Sequence, residues 1–261
     1  MRTAGVDLAA QDKNTAVCVV EWGSGGPRVE LPRVGLDDDA LLDVICDSDR
    51  AGIDAPFGWP QAFADAVAAH QARDRWPGST AELRELAEQR ESYRRRLSYR
   101  VTDLAIIDDP KLSVRPLSVS TDRIGVTTFR CALLLDRLAH ERRVKVDRSG
   151  RTGRVAEVYP AAALNAWQLP FKGYKGRAGR EVRSELLVAV GRDLGRGFGE
   201  DARKMCADSD HALDALVSAV VARAVAVGAT RQPNRRQSGA AKREGWIHVP
   251  TDDGEALKDA P

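Results

Sequence analysis

At 261 residues and 43% hydrophobic composition, the chain is long enough to bury a core, as one large domain or one domain with an insertion. The 40 lysines and arginines nearly balance 38 aspartates and glutamates, so a net charge of +2 gives no sign of an overall basic surface, although a local basic patch remains compatible with nucleic-acid binding. Four widely spaced cysteines without a C-x-x-C pair, and no leader or membrane-spanning stretch, predict a cytoplasmic protein with reduced thiols.

The first 60 residues predict three strands, a helix and a fourth strand. Apolar and β-branched residues indicate the strands, and three aspartates at residues 37–39 mark the start of the helix. The predicted strands cover residues 4–9, 15–22, 28–34 and 51–55, and the helix covers 40–45.

Helical patterns dominate the next part of the chain and predict a helical insertion over about residues 61–143. Its helices are expected at residues 61–76, 80–97 and 125–143. A strand at 154–159, a basic stretch at 171–183, a helix at 183–191 and a long helix at 208–227 follow. We expect residues 1–228 to form a single domain and residues 229–261 to form a flexible basic tail with a short ordered patch at 245–250.

Three of the predicted strands each carry a carboxylate among apolar residues. Asp7, Asp54 and Glu157 all lie within a few residues of the end of a strand. A carboxylate in a sheet interior is unfavourable unless a cation or hydrogen bonds compensate it. Any one of them is compatible with a hydrogen-bonded core acid, but three at comparable positions predict a shared site.

The last predicted helix adds a fourth carboxylate. Between residues 212 and 227 its only charges are Asp214 and Arg223, which fall on opposite faces at 100° per residue. We expect Asp214 to face the sheet and Arg223 to face solvent. Asp210, one turn earlier, fits a metal ligand or a helix cap equally well. Clustered carboxylates repel one another unless a cation binds, and Mg²⁺ or Mn²⁺ take such all-oxygen sites.

This pattern resembles the RNase H-like fold, a mixed five-stranded sheet flanked by helices, here with the helical insertion after strand 4. Residues 211–215 (HALDA) are similar to the terminal helix of Holliday-junction resolvases. More specifically, the chain resembles the family called domain of unknown function 429, described as predicted RNase H-like nucleases. The matching stretches are 5–7 (GVD), 52–56 (GIDAP), 100–103 (RVTD), 157–160 (EVYP), 174–175 (YK) followed by Arg183, 210–215 (DHALDA) and 245–250 (GWIHVP).

The resemblance implies a metal-dependent nuclease that hydrolyses phosphodiester bonds in DNA or RNA with two Mg²⁺ or Mn²⁺ ions. The implied metal ligands are Asp7, Asp54 and Asp214, with Asp210 or Glu157 completing the site. The implied catalytic set is Asp7, Asp54, Glu157 and Asp214, and His211 is a candidate for proton transfer. The implied phosphate contacts are Arg100, Lys172, Lys175 and Arg183, with Asp103 pairing with Arg100.

Two other functions remain open at this point. An actin-like ATP-dependent phosphotransferase also begins with a strand-borne aspartate, but it needs glycine-rich phosphate-binding turns, and no glycine occurs between Asp7 and Gly23. A non-catalytic module that binds nucleic acid or protein on the same fold is the third possibility. No G-x-S-x-G or H-E-x-x-H motif indicates another enzyme class.

Overall fold

The computed structural model of the protein describes residues 1–72, 95–120 and 122–251. Most of the helix predicted at 80–97, and the end of the one predicted at 61–76, lie outside these residues. Within them the strands are β1 (Arg2–Asp7), β2 (Ala16–Gly23), β3 (Gly26–Val29), β4 (Arg33–Val34), β5 (Arg50–Asp54), β6 (Val155–Val158) and β7 (Ile247–His248).

The α-helices with described bounds include all the long helices that were expected in this part of the chain. They are α1 (Asp38–Cys46), α2 (Gln61–Gln71), α3 (Val101–Ile107), α4 (Asp122–His140), α5 (Pro160–Ala166), α6 (Arg180–Leu194), α7 (Glu200–Asp208), α8 (Asp210–Ala226) and α9 (Ser238–Glu244). Across the described ranges, no helix is both long and apolar enough to cross a membrane.

The strands form one mixed sheet in the order β3-β2-β1-β5-β6-β7, with β4 also paired to β2. β1 and β2 are antiparallel, whereas β1, β5, β6 and β7 run parallel. The fold is therefore α/β, as predicted, but the expected count of five strands is wrong. The predicted strand at 28–34 is divided into β3 and β4, and the C-terminal patch contributes β7. Strands of two residues, such as β4 and β7, leave too weak a pattern to be predicted from sequence.

The sheet separates two apolar layers. One face packs against α8, which in turn contacts α5 and α7. The other face packs against α1 and α4. Because side chains alternate along a strand, Val6 and Ile53 lie in the second layer, while Gly5, Asp7, Gly52 and Asp54 face α8.

Two glycines allow α8 to lie unusually close to the sheet. Gly5 and Gly52 are paired in register on neighbouring parallel strands. A Cβ atom at Gly5 would lie 1.9 Å from the carbonyl oxygen of Ala215, and one at Gly52 would lie 2.5 Å from that of Ser218. The backbone of α8 therefore occupies the space that side chains would need at both positions. This contact fixes how far α8 lies from the strand ends.

We expect Gly5→Ala to destabilise the protein, because the added methyl group meets helix backbone rather than a movable side chain. Overpacking of this kind costs about 1–3 kcal/mol. Urea-induced unfolding measures the loss, and Gly23→Ala is the matched control, since nothing lies within 4 Å of a Cβ there. Equal stability of the two variants would contradict the close contact between β1 and α8.

Helix α8 differs from expectation on its outer side. Arg223 was expected to face solvent, but its side chain is buried and its guanidinium carbon lies 5.5 Å from the ring centroid of Trp22. The helix is buried all round from residue 212 to 224, because the sheet packs on one side of it and neighbouring helices pack on the other. The expectation that Asp214 faces the sheet is confirmed below.

The described C-terminal residues, 229–251, pack against the rest of the chain: the patch expected to be ordered at 245–250 contains β7, and part of the stretch expected to be flexible forms α9. Ile247 and His248 pair with Glu157 and Val158 of β6. Glu244, at the end of α9, accepts hydrogen bonds from the backbone N–H of Gln61 (3.0 Å) and of Val101 (2.8 Å). These are the first residues of α2 and α3, so one carboxylate satisfies donors at two helix N-termini.

Candidate metal centre

The centre forms where β1 and β5 end. Asp7 and Asp54 are the last residues of these strands and are paired in register. Each lies two residues after the glycine that α8 packs against, so both carboxylates lie on the α8 face. Asp214 lies one turn into α8 and points at them. One carboxylate oxygen from each of the three residues lies within 4.8 Å of the others.

Each carboxylate has a different environment. Asp214 is fully buried, Asp7 is 9% exposed, and Asp54 is partly exposed. The hydroxyl of Tyr174 donates to Oδ1 of Asp214 at 3.0 Å, and the ammonium of Lys175 donates to Oδ2 of the same residue. Nδ1 of His211 lies 2.6 Å from Oδ2 of Asp7.

Burial and mutual repulsion make the charged forms of Asp54 and Asp214 unfavourable. Burial raises the pKa of Asp54 well above its usual value, and Asp7 and Asp214 raise it further. Burial also raises the pKa of Asp214 to about 6, with Asp7 adding to the rise and Lys175 opposing it. The hydrogen bond to Asp7 raises the pKa of His211. Burial, and then Asp214, raise the pKa of Tyr174, which keeps its hydroxyl protonated.

The three carboxylates are therefore only partly compensated. Three negative charges meet one lysine ammonium and one histidine, which is 36% exposed. An all-carboxylate donor set with excess negative charge fits a hard divalent cation. A buried acidic group that could hold a metal ion is thus present, formed by Asp7, Asp54 and Asp214, without either of the two residues expected to complete the site.

Glu157 does not join this group. It is paired in register with Ile53, not with Asp54, so its side chain lies on the opposite face of the sheet. Both of its oxygens accept hydrogen bonds from Arg100, at 2.7 and 2.9 Å, and the N–H of Phe57 donates at 3.0 Å. Glu157, which was expected in the catalytic set, is therefore a buried acid paired with Arg100 and lies outside the group of three carboxylates.

Asp210 also lies outside the group of three. It is the first residue of α8 and accepts a hydrogen bond from the backbone N–H of Gly176 at 3.0 Å. Burial tends to raise its pKa, but this hydrogen bond and the nearby cations His211 and Lys175 lower it overall. The N-cap of α8 is Ser209, whose hydroxyl accepts from the backbone N–H of Ala212, so Asp210 is neither the cap nor a member of the group of three carboxylates.

Two of the four expected phosphate contacts are inaccessible. Arg100 is 2% exposed and donates to Asp103 and to Glu157. The predicted Arg100–Asp103 pair is thus present, but it is directed at Glu157. Arg183 is 1% exposed and donates to the carbonyl oxygens of Tyr174, Gly176 and Ala207. The prediction that these two arginines contact phosphate is therefore wrong. Both are buried, and they hold neighbouring parts of the protein in place.

The two lysines remain accessible. The side chain of Lys175 is 55% exposed although it pairs with Asp214. Lys172 is exposed, and its ammonium lies 5.1 Å from the ring centroid of Phe171. Tyr174 is a site residue that was not predicted from sequence, although its place beside Lys175 in the YK stretch was a usable signal.

Fold and site together define an α/β protein with a mixed sheet and three aspartates gathered at the ends of two parallel strands. The chain belongs to the family described as "Protein of unknown function (DUF429)", whose sequence profile matches residues 5–238. Neither the curated proteins nor the solved structures include a significant match.

Proposed function

We propose that this protein is a nuclease that uses divalent metal ions to hydrolyse phosphodiester bonds in nucleic acid. The observation that carries the proposal is the convergence of Asp7, Asp54 and Asp214 within 4.8 Å, with too little positive charge to compensate them. A chain that needed only a stable core would not gain from this arrangement, since buried like charges are unfavourable.

The donor set suits Mg²⁺ or Mn²⁺, which Asp7, Asp54 and Asp214 would hold. When bound, such ions activate water and stabilise the leaving oxygen of a phosphodiester. His211, hydrogen-bonded to Asp7 through Nδ1, holds that carboxylate in place and is exposed enough to exchange a proton with solvent. Tyr174 orients the carboxylate of Asp214, and the exposed Lys175 offers positive charge to a phosphate.

The test is cleavage of end-labelled DNA and RNA, single-stranded, duplex and branched, in Mg²⁺ or Mn²⁺ and with a chelator. We expect cleavage that the chelator abolishes and that Asp7→Asn lowers by roughly 10²–10³-fold or more, the scale seen when one electrostatic group of a site is removed. Asp201→Asn, at an exposed position of α7, is the matched control and should leave cleavage unchanged.

The same assay separates the other functions. ATP turnover without cleavage of any nucleic acid would instead support a phosphotransferase. Metal-independent binding of nucleic acid that Asp7→Asn leaves intact would support a non-catalytic binding module. Full cleavage by Asp7→Asn would contradict the proposed site.

A further inference from the structure

The short loop of residues 173–176, here called the YK loop, delivers two donors to one carboxylate. Gly173 and Gly176 flank Tyr174 and Lys175, with φ angles of +77° and +70°. Side chains are strained in this left-handed region, which explains glycine at both positions. The resulting turns direct the Tyr174 hydroxyl and the Lys175 ammonium to opposite oxygens of Asp214.

The backbone of the YK loop is anchored from inside the protein. Nη1 of Arg183 donates to the carbonyl oxygens of Tyr174 at 2.5 Å and of Gly176 at 2.7 Å. Asp210 holds the N–H of Gly176 at 3.0 Å. Arg183 is therefore a positioning residue for the loop, and its buried guanidinium has no access to substrate.

The two donors differ in what they permit at Asp214. Tyr174 is buried and neutral, so its hydrogen bond to Oδ1 is compatible with a cation on the other oxygen. The ammonium of Lys175 holds Oδ2 itself, and two cations on one oxygen would repel each other. Lys175 is 55% exposed and has a flexible four-carbon stem, so it can leave without movement of the anchored loop.

We propose that Lys175 is the resting occupant of the carboxylate site, that a divalent cation takes its place on Asp214, and that the released ammonium binds a phosphate of the substrate. This inference rests on the proposed function. Displacement of Lys175 would make metal binding and phosphate binding cooperative, because the cation that enters the site also frees the lysine. The YK loop contributes Tyr174 as a fixed donor and Lys175 as the movable one.

Limited acetylation of the whole protein, followed by mass spectrometry, measures the release of Lys175 directly. We expect saturating Mn²⁺ to raise the acetylation rate of Lys175 several-fold. Lys172 is the internal control, since it lies three residues earlier, is exposed, and contacts Phe171 instead of the three carboxylates. Its rate should not change, and in Asp54→Asn the response of Lys175 should be lost together with tight Mn²⁺ binding.

A second variant tests the competition without any cleavage assay. Calorimetry should show that Lys175→Met binds Mn²⁺ about tenfold more tightly than the wild-type protein does. No ammonium then has to be displaced from a site of low effective dielectric constant. Lys175→Met should also lose affinity for a non-cleaved oligonucleotide in the presence of metal, whereas Lys172→Met should leave Mn²⁺ affinity unchanged.

The outcomes separate the two proposals. If Mn²⁺ binds and the acetylation of Lys175 does not rise, the displacement is wrong and the metal site stands. If Mn²⁺ does not bind to the wild-type protein, the displacement and the proposed nuclease function are both wrong.

Discussion

The Asp54→Asn variant is expected to lose the proposed metal-dependent cleavage and, without metal, to unfold at a higher temperature than the wild-type protein. Burial, and then the neighbouring carboxylates of Asp7 and Asp214, raise the pKa of Asp54, so its charge opposes folding. Asparagine keeps the shape and removes the charge. Relief of this repulsion should stabilise the protein by roughly 1–2 kcal/mol, which corresponds to a few degrees for a domain of this size.

The stability gain should depend on pH in a defined direction. A carboxyl group whose pKa is raised by folding binds more protons in the folded state, so its ionisation lowers stability as pH rises. Near pH 4 and below, Asp54 is protonated in the folded protein and the advantage of the variant is small. The advantage should grow as pH increases through the raised pKa of the folded state.

Thermal unfolding in a chelating buffer between pH 4 and 8, with and without Mg²⁺, measures both effects. Mg²⁺ should raise the unfolding temperature of the wild-type protein but not that of Asp54→Asn, since a ligand stabilises only the state that binds it. Asp201→Asn should behave like the wild type. A variant that is less stable than the wild type at pH 8 would show that Asp54 is compensated by another group.

The Arg100→Met variant is expected to lose about 3–5 kcal/mol of stability, the usual cost of removing one partner from a buried ion pair. The guanidinium holds Asp103, which is fully buried, and Glu157, which is 2% exposed. Burial already raises the pKa of Glu157 against the opposing effect of Arg100. Without Arg100, two carboxylates remain buried without their cation.

Urea-induced unfolding at pH 7 measures this loss. Arg235→Met, at an exposed turn position, is the matched control and should change stability by no more than about 0.5 kcal/mol. Adding Glu157→Gln to the Arg100→Met chain should restore part of the stability, because one uncompensated charge is removed. A loss in Arg100→Met as small as that of the control would contradict a structural role for the pair.

The aspartates of the candidate metal centre could be predicted from sequence because each leaves a local signal. Asp7 and Asp54 both follow a glycine by two residues at the end of an apolar strand, and Asp214 is an isolated acid in an apolar helix. Alternation within a strand and the helical period then assign a face to each. No long-range information was needed for these three residues.

Glu157, Arg100 and Arg183 could not be assigned in the same way. The face of Glu157 relative to Asp54 depends on the register between β5 and β6, which no local pattern encodes. Arginines in a basic stretch look alike whether they are exposed or buried, and only tertiary structure shows that Arg183 is anchored to three carbonyl oxygens. The number of strands was predicted wrongly for a related reason, since β7 is recognisable as a strand only from its pairing with β6.

The return of the C-terminal segment to the sheet has a practical consequence for shortened versions of this chain. The family match ends at residue 238, before Glu244 and β7. A protein cut there would present β6 as an open strand edge, which invites edge-to-edge association and poor solubility. The first turns of α2 and α3 would also lose their shared acceptor. We therefore expect shortened versions of the chain to need the residues up to Pro250, which pairs with Thr230.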